Sequence, residues 1–368
     1  MISDSRRSSV SPILPELGEA GRARLKASRV LLVGVGGLGS PVGLYLAAAG
    51  VGSLLLVDHD HVDETNLQRQ VLFGAADVGR RKVIVAKERL QAANPYVDIE
   101  AIDEPFGVGN ARALVAGADV VVDGADNFPT RYLVNDACVL EQRPNVFGSV
   151  FRFEGQASVF AAKGGPCYRC LHPEPPPDGL VPSCAEAGVL GVLPGFVGVV
   201  QATEAIKVLT GVGDPLIGRM LLYDALRMRI REIALPKDPD CPVCGVQPTI
   251  RTLVAYEQEC TIDPDSIDVR QLAAWRARRT PHTLIDVRET WEHATNSIQG
   301  AMPIPMGDVP RHLDVVPRDR PVVVHCQTGR RSARVVDMLR ARGFDARNLV
   351  GGIEAWQARV KSTSQTPS

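Results

Sequence analysis

Aromatic side chains make up only 5% of this 368-residue chain, and net charge is almost absent, with 41 Lys and Arg against 42 Asp and Glu. Few aromatics leave the core to aliphatic residues, and a hydrophobic share of 45% is still that of a globular protein. The charge balance argues against an electrostatic grip on nucleic acid or anionic membrane, which depends on clustered Lys and Arg. Met1 to Val10 has no apolar run of the kind a secretory signal needs, so a cytoplasmic protein is expected. Val30 to Val57 has no charged residue at all and is long enough to span a bilayer. Its seven glycines and the turn at Gly50-Val51-Gly52 instead predict a strand, a glycine turn, a helix and a second strand, all covered by protein.

The length predicts two domains. Arg29 to Gly34, Ser53 to Asp58, Val97 to Ile102 and Asp119 to Asp123 read as strands, separated by helical patterns at Ser40 to Ala49, Arg80 to Ala93 and Ala111 to Ala116. That alternation predicts a parallel sheet with helices on its faces. Strand follows strand over Asn145 to Ala161 and again over Met220 to Ile233, so the sheet is expected to be mixed. Pro236 to Pro248 is rich in Pro, Asp and Cys, and the polar, aperiodic Arg251 to Asp265 marks a boundary. A smaller α/β unit follows, with strands at Thr283 to Val287, Pro321 to His325 and Asn348 to Val350. Its helices fall near Asp268 to Arg278, Ser332 to Arg342 and Ile353 to Arg359, and Lys361 to Ser368 reads as a disordered tail.

The loop Gly34-Val35-Gly36-Gly37-Leu38-Gly39 follows a strand and opens a helix, so its amides can approach a phosphate. With Asp58 closing the next strand, this fits a dinucleotide as well as ATP. Asn66, Arg69, Gln70, Lys82, Asp123, Asp126 and Asn127 add cations and carboxylates that suit phosphoryl chemistry. Arg69 and Lys82 are candidates to neutralise the α-phosphate, and Asp126 to hold Mg²⁺. Lys82 also reads as a solvated helix residue, and Asp126 or Asn127 as a helix cap.

The residues Gly34 to Ser40, Asp58 to Asp60, Asn66 with Arg69-Gln70, Lys82 and Asp123 to Asn127 resemble the E1-like (ThiF/MoeB-type) adenylating enzymes of molybdopterin and thiamine synthesis. The resemblance implies a Rossmann-like domain, ATP and Mg²⁺, and attack on the α-phosphate by the C-terminal Gly-Gly carboxylate of a small β-grasp sulfur-carrier protein. It also implies Asp58 on the ribose, Asn66, Arg69 and Lys82 on the phosphates, Asp126 on the metal, and a homodimer. Members usually carry Arg-Tyr-x-Arg before Leu-Pro-Glu, whereas Val10 stands at the second Arg position here and Ser8 at the Tyr. Arg6 or Arg7 is expected to substitute.

The eight cysteines include two C-x-x-C pairs, Cys167 with Cys170 and Cys241 with Cys244, the pattern of a closed structural Zn²⁺ site. A redox pair is the competing reading, but neither pair has the strand-to-helix setting of a thioredoxin site. Cys184 lies in a loop after the proline-rich Pro173 to Pro182, where it is either an incidental thiol or, by the same resemblance, the cysteine that bonds the activated carrier or a persulfide. Cys138 sits on a helical pattern and reads as core. Cys260, in the boundary segment, has no role assigned.

The strand Pro321 to His325 runs into Cys326-Gln327-Thr328-Gly329-Arg330-Arg331-Ser332 and then a helix. Loop amides and the helix N-terminus would favour a thiolate or persulfide at Cys326, with positive charge nearby from Arg330 and Arg331. Tyrosine phosphatases share this plan with a longer loop. Leu284-Ile285-Asp286-Val287-Arg288-Glu289, Gly300-Ala301 with Ile304-Pro305, and Val350-Gly351-Gly352 through Trp356 resemble single-domain rhodaneses.

The chain is thus expected to divide into an E1-like domain at 1–250, a linker at 251–264, a rhodanese-like domain at 265–360 and a tail at 361–368. The fused arrangement resembles the adenylyltransferase/sulfurtransferase family of molybdenum-cofactor synthesis protein 3 and its bacterial MoeZ-type counterparts. That implies a carrier thiocarboxylate made with sulfur from thiosulfate or a persulfide donor. A nicotinamide-dependent oxidoreductase would use the same glycine loop but needs neither Lys82, Asp126 nor a rhodanese domain. A scaffold that binds the carrier without activating it is the other alternative.

Overall fold

The computed structural model describes residues 14–176, 188–255 and 265–364, with side chains described to residue 359. These residues fall into two compact units, the second beginning after residue 257.

The first unit opens with α1 (Gly18–Ala27) and then alternates: β1 (Arg29–Val33), α2 (Gly39–Ala49), β2 (Ser53–Val57), α3 (Lys82–Ala93), β3 (Asp98–Ile102), α4 (Val108–Ala116), β4 (Val120–Asp123) and α5 (Phe128–Leu140). The hairpin β5 (Asn145–Phe151) and β6 (Glu154–Phe160) follows, then the single turn α6 (Tyr168–Leu171), α7 (Leu193–Thr210) and a second hairpin, β7 (Arg219–Asp224) and β8 (Arg229–Ala234). One eight-stranded sheet results, ordered β3-β2-β1-β4-β5-β6-β7-β8. It is parallel from β3 to β5 and antiparallel from β5 to β8, hence mixed as expected.

The uncharged segment 30–57 is the centre of this sheet. Val30, Leu31 and Leu32 in β1 and Leu54 and Leu56 in β2 have no exposed surface, because helices cover both faces. Each such side chain contributes roughly 1.5–3 kcal/mol on burial. Among the described residues no helix is long and apolar enough to cross a membrane. Leu253, in the segment expected to link the domains, packs against the core of this unit.

The second unit contains α8 (Val269–Ala277), β9 (Thr283–Asp286), α9 (Thr290–Thr295), β10 (Met302–Pro303), β11 (Val322–His325), α10 (Arg330–Arg340), β12 (Ala346–Asn348) and α11 (Gly352–Ser364). Its parallel sheet is ordered β10-β9-β11-β12. Three differences from expectation stand out. The short α9 and β10 were not anticipated, since neither is long enough to show a period. The last strand ends at Asn348, because the chain after it turns to bring Gly352 under the cysteine loop. Helix α11 continues to Ser364, so residues 361–364 are helical rather than part of a disordered tail.

Candidate functional site

In the first unit the strand order reverses between β1 and β4, and ligands of open α/β sheets bind in the crevice beyond the strand ends at such a point. The glycine loop leaves β1 there, and the Asp123–Asn127 segment leaves β4. Gly34 has a φ of +84°, and a Cβ on Gly39 would lie 2.0 Å from the Gly34 carbonyl oxygen, so both glycines are required by the turn. Gly36 and Gly37 continue the loop, with Gln70 and Pro194 packed beside them. Asp58 braces the loop, its Oδ2 accepting from the Val35 amide at 2.9 Å and its Oδ1 from the Asp60 amide at 2.9 Å. Burial pushes the Asp58 carboxyl up, against the pull of Lys82.

Lys82 is not a solvated helix residue. It is 5% exposed on the first turn of α3, and its Nζ lies 2.8 Å from Asp60 Oδ2. Arg69 is half-buried and donates to Asn66 Oδ1, drawing these two predicted residues together. Gln70 is buried, and among the described residues its Oε1 has no partner, an orphaned acceptor beside the glycine loop. Asp126 is exposed at the mouth of the crevice. Asn127 realises the cap alternative, its Oδ1 accepting from the Thr130 amide at 2.9 Å. Glycine cradle and buried cation together fit the phosphates of a nucleoside triphosphate, while an orphaned acceptor suits a hydroxyl or amino donor of the nucleoside.

Behind this crevice lie Asp123, which the sequence offered only as one of the carboxylates suiting phosphoryl chemistry, and Arg131, to which sequence reasoning gave no role. Asp123 is fully buried, and desolvation pushes its carboxyl up to about 6. Arg131, on α5, donates to the Ala125 carbonyl at 3.1 Å. Their one sequence signal is charge inside otherwise apolar elements.

The two C-x-x-C pairs meet. Cys167 Sγ lies 3.5 Å from Cys241 Sγ and Cys170 Sγ lies 3.4 Å from Cys244 Sγ, with all four sulfurs within 4.8 Å of one another. Zn–S bonds of about 2.3 Å in a tetrahedron require sulfurs roughly 3.8 Å apart, so the set fits Zn²⁺. Hydrogen bonding to Cys170 and Cys244, together with burial, pushes the Cys167 thiol up. A dication at the centre of the four sulfurs reverses that balance. Cys138 is buried on α5, as read from its helical pattern. Cys184 lies outside the described residues, as do Cys260, Arg6, Arg7 and Val10.

In the second unit Cys326 directly follows β11 and is fully buried. The Gly329 amide donates to its Sγ at 3.1 Å, and the Ser332 hydroxyl lies 3.5 Å away. The paired glycines of Val350-Gly351-Gly352 now have a reason. A Cβ on Gly352 would lie 2.5 Å from the Cys326 carbonyl oxygen, and the Ile353 amide donates to that oxygen at 2.9 Å. The start of α11 therefore clamps the cysteine loop from below.

Of the two arginines expected to add positive charge near the sulfur, Arg330 is exposed, and the Arg331 guanidinium makes two 2.8 Å contacts with Glu292, so its charge is balanced within the fold. Arg288 is likewise paired with Asp286 at 2.7 Å, and it also donates to Gln327 beside the nucleophile at 3.3 Å. His293 Nδ1 lies 2.9 Å from the same Asp286 carboxylate. His325 is buried behind Cys326, and desolvation lowers it to about 4, leaving the imidazole neutral.

Comparison with known proteins agrees with this geometry. The ThiF family matches residues 9–243, and the rhodanese-like domain matches residues 268–359. The Mycobacterium tuberculosis protein named "Probable adenylyltransferase/sulfurtransferase MoeZ" is 47% identical over 365 residues, covering 95% of this chain and 92% of its own length. A sulfur carrier protein adenylyltransferase from Thermus thermophilus is 54% identical over 253 residues, covering 67% of this chain and 93% of its own. Among solved structures, E. coli MccB superposes with a TM-score of 0.60 at 23% identity, over 67% of this chain and 74% of that one, which shows a shared fold.

Fold and sites together define a two-domain enzyme of adenylyl and sulfur transfer. More particularly, the chain belongs to the ThiF family and carries a rhodanese-like domain after the ThiF portion.

Proposed function

We propose that the protein adenylates the C-terminal Gly-Gly carboxylate of a small β-grasp sulfur-carrier protein and then exchanges one oxygen of that carboxyl for sulfur from a persulfide on Cys326. The observation that carries this reading is the coexistence in one chain of a glycine cradle beside a buried lysine and a cysteine sulfur held by a loop amide. The first suits phosphates and the second a sulfur nucleophile.

In the first step a carrier carboxylate oxygen bonds to the α-phosphorus of ATP, and the bond to the β-phosphate oxygen breaks, releasing pyrophosphate. Asp58 would hold the ribose, Lys82, Arg69 and Asn66 the phosphates, and Gln70 the edge of the loop. Asp126 would hold Mg²⁺, which neutralises charge on the triphosphate. In the second step the outer sulfur of the Cys326 persulfide bonds to the acyl carbon and AMP departs, leaving an acyl disulfide. The Cys184 thiolate then attacks the Cys326 sulfur. The carrier leaves as a thiocarboxylate, and a Cys184–Cys326 disulfide remains for a thiol reductant to open. Thiosulfate or a persulfide donor reloads Cys326. Cys167, Cys170, Cys241 and Cys244 would hold Zn²⁺, which when bound would supply folding energy at a closed site away from the chemistry. The protein works in the cytoplasm as a homodimer, with Arg6 or Arg7 in place of the usual arginine at Val10.

The test is to mix the full chain with ATP, Mg²⁺, thiosulfate and candidate Gly-Gly carriers, following pyrophosphate exchange and weighing each carrier for replacement of a terminal oxygen by sulfur. Exchange and the mass change are expected together for at least one carrier. No exchange with any carrier would favour the scaffold alternative. Loss of exchange in Arg6→Ala or Arg7→Ala protein is the corresponding expectation for the arm, and unchanged rates in both would remove it.

A further inference from the structure

The four-cysteine cluster and the β4 exit lie at opposite ends of a chain of direct contacts through α5. Between Cys167 and Cys170 stand Tyr168 and Arg169, and both are fastened to α5. The Tyr168 amide donates to Asn135 Oδ1 at 2.7 Å, and Arg169 grips both oxygens of Asp136 at 2.8 and 2.9 Å. All four partners are buried. The Tyr168 ring lies in turn 6.0 Å from the guanidinium of Arg131, which also sits 5.0 Å over the Phe147 ring.

Arg131 is aimed at the backbone that carries Asp126. It donates to the Ala125 carbonyl at 3.1 Å, while the Ala125 amide donates to Asp123 Oδ1 at 2.9 Å. Ala125 is therefore gripped at both its polar groups, and on the far side of Asp126 the next residue, Asn127, caps α5. Asp126 projects from a peptide whose two neighbours are each held. A buried guanidinium stacked on aromatic faces has little freedom, and a planar donor of this kind sets direction as well as charge.

We propose that Tyr168 and Arg131 are positioning residues through which the cysteine cluster sets the orientation of Asp126, so that a side chain between two zinc-type ligands governs Mg-ATP binding. The inference rests on the adenylation reading, with Asp126 as the Mg²⁺ ligand. A group that only stabilised the fold would weaken nucleotide binding with and without magnesium alike. A group that orients Asp126 weakens only the magnesium-dependent part.

Calorimetric titration of the full-length protein with ATP, once with Mg²⁺ and once with a chelator of Mg²⁺, separates these outcomes for wild type, Asp126→Asn, Arg131→Lys and Tyr168→Leu. Zinc content is measured on each preparation. Arg131→Lys keeps the charge but loses the planar fork and the stack. The expected result is a drop of about tenfold in affinity for Mg-ATP in Arg131→Lys and a smaller drop in Tyr168→Leu, with ATP alone bound as in wild type and zinc retained. Should Tyr168→Leu lose zinc, Arg131→Lys, whose contacts include the Ala125 carbonyl and the rings of Phe128, Phe147 and Tyr168, decides alone. Unchanged Mg-ATP affinity in Arg131→Lys, alongside a loss in Asp126→Asn, would overturn the inference while leaving the adenylation reading intact. No magnesium dependence in wild type would remove the reading on which it rests.

Discussion

After β1 and after β11 the chain performs the same manoeuvre: a buried strand ends, a glycine-containing loop turns, and a helix begins, an arrangement whose free amides suit an anion. The two places then differ in where their paired cations stand. Around the first, Lys82, paired with the exposed Asp60, and Arg69, held by the Asn66 amide oxygen, stand beside the crevice. Around the second, Arg331 and Arg288 are paired with Glu292 and Asp286, Arg330 is exposed, and the sulfur accepts from an amide beside a hydroxyl. A triphosphate carries several charges that move during reaction and needs full cations. A single sulfur anion must stay nucleophilic, and dipoles stabilise it without the stronger hold of an ion pair.

The sharpest way to break this comparison is to remove one nucleophile and ask whether the other half notices. Cys326→Ser protein is expected to lose thiosulfate-to-cyanide sulfur transfer and thiocarboxylate formation entirely, while ATP–pyrophosphate exchange stays within about twofold of wild type. Continued thiocarboxylate production from a donor that relies on this enzyme would sink the role of Cys326. The converse is Lys82→Met, which should lower exchange by roughly a hundredfold, the effect of deleting one charge-stabilising donor, and leave thiosulfate-to-cyanide transfer unchanged.

Next in size is the neutralised pair. Glu292→Gln leaves the Arg331 guanidinium buried without its counter-charge, and loss of about 3 kcal/mol in the stability of the second unit is expected by denaturant titration. A loss below about 0.5 kcal/mol would mean that the pair is screened as a surface bridge is.

An effect of similar size concerns pH, and its sign differs between the units. His325 is lowered by burial from 6.5 to about 4, so the unfolded chain binds more protons between these values. Its contribution to the second unit is undiminished above the unfolded value and is lost as pH falls toward 4. Asp123 is raised by burial from 3.8 to about 6, so the folded first unit binds the extra proton. Its contribution is present below 3.8 and is lost as pH rises through 6. Thermal midpoints between pH 4 and 7 should shift accordingly, and His325→Leu should flatten only the profile of the second unit. A parallel change in both profiles would show that these groups do not dominate.

How much of this was legible depends on the range of the interaction. The glycine loop was readable because Gly34 and Gly39 answer to their own turn, and the zinc-type set because each C-x-x-C pair is local even though the pairs are far apart in sequence. Lys82 was ambiguous, since a lysine at the start of a helix is ordinary until Asp60 is seen beside it. The partner of Arg331 was hidden for the same reason, because Glu292 comes from a short helix with no period to betray it. Asn135, Asp136 and Arg131 were missed altogether, as polar residues in an apolar helix signal burial without naming a partner.

By itself the sequence determined the alternation of strands and helices, the two anion loops and the pairing of cysteines, because hydrophobic period, glycine conformation and ligand spacing act over a few residues. Only the tertiary structure decided which charges remain available, which are cancelled, and which helix joins the cysteine cluster to Asp126. Coulombic and hydrogen-bond energies depend on distance in space and on burial, and neither exists until the sheet has brought remote segments together.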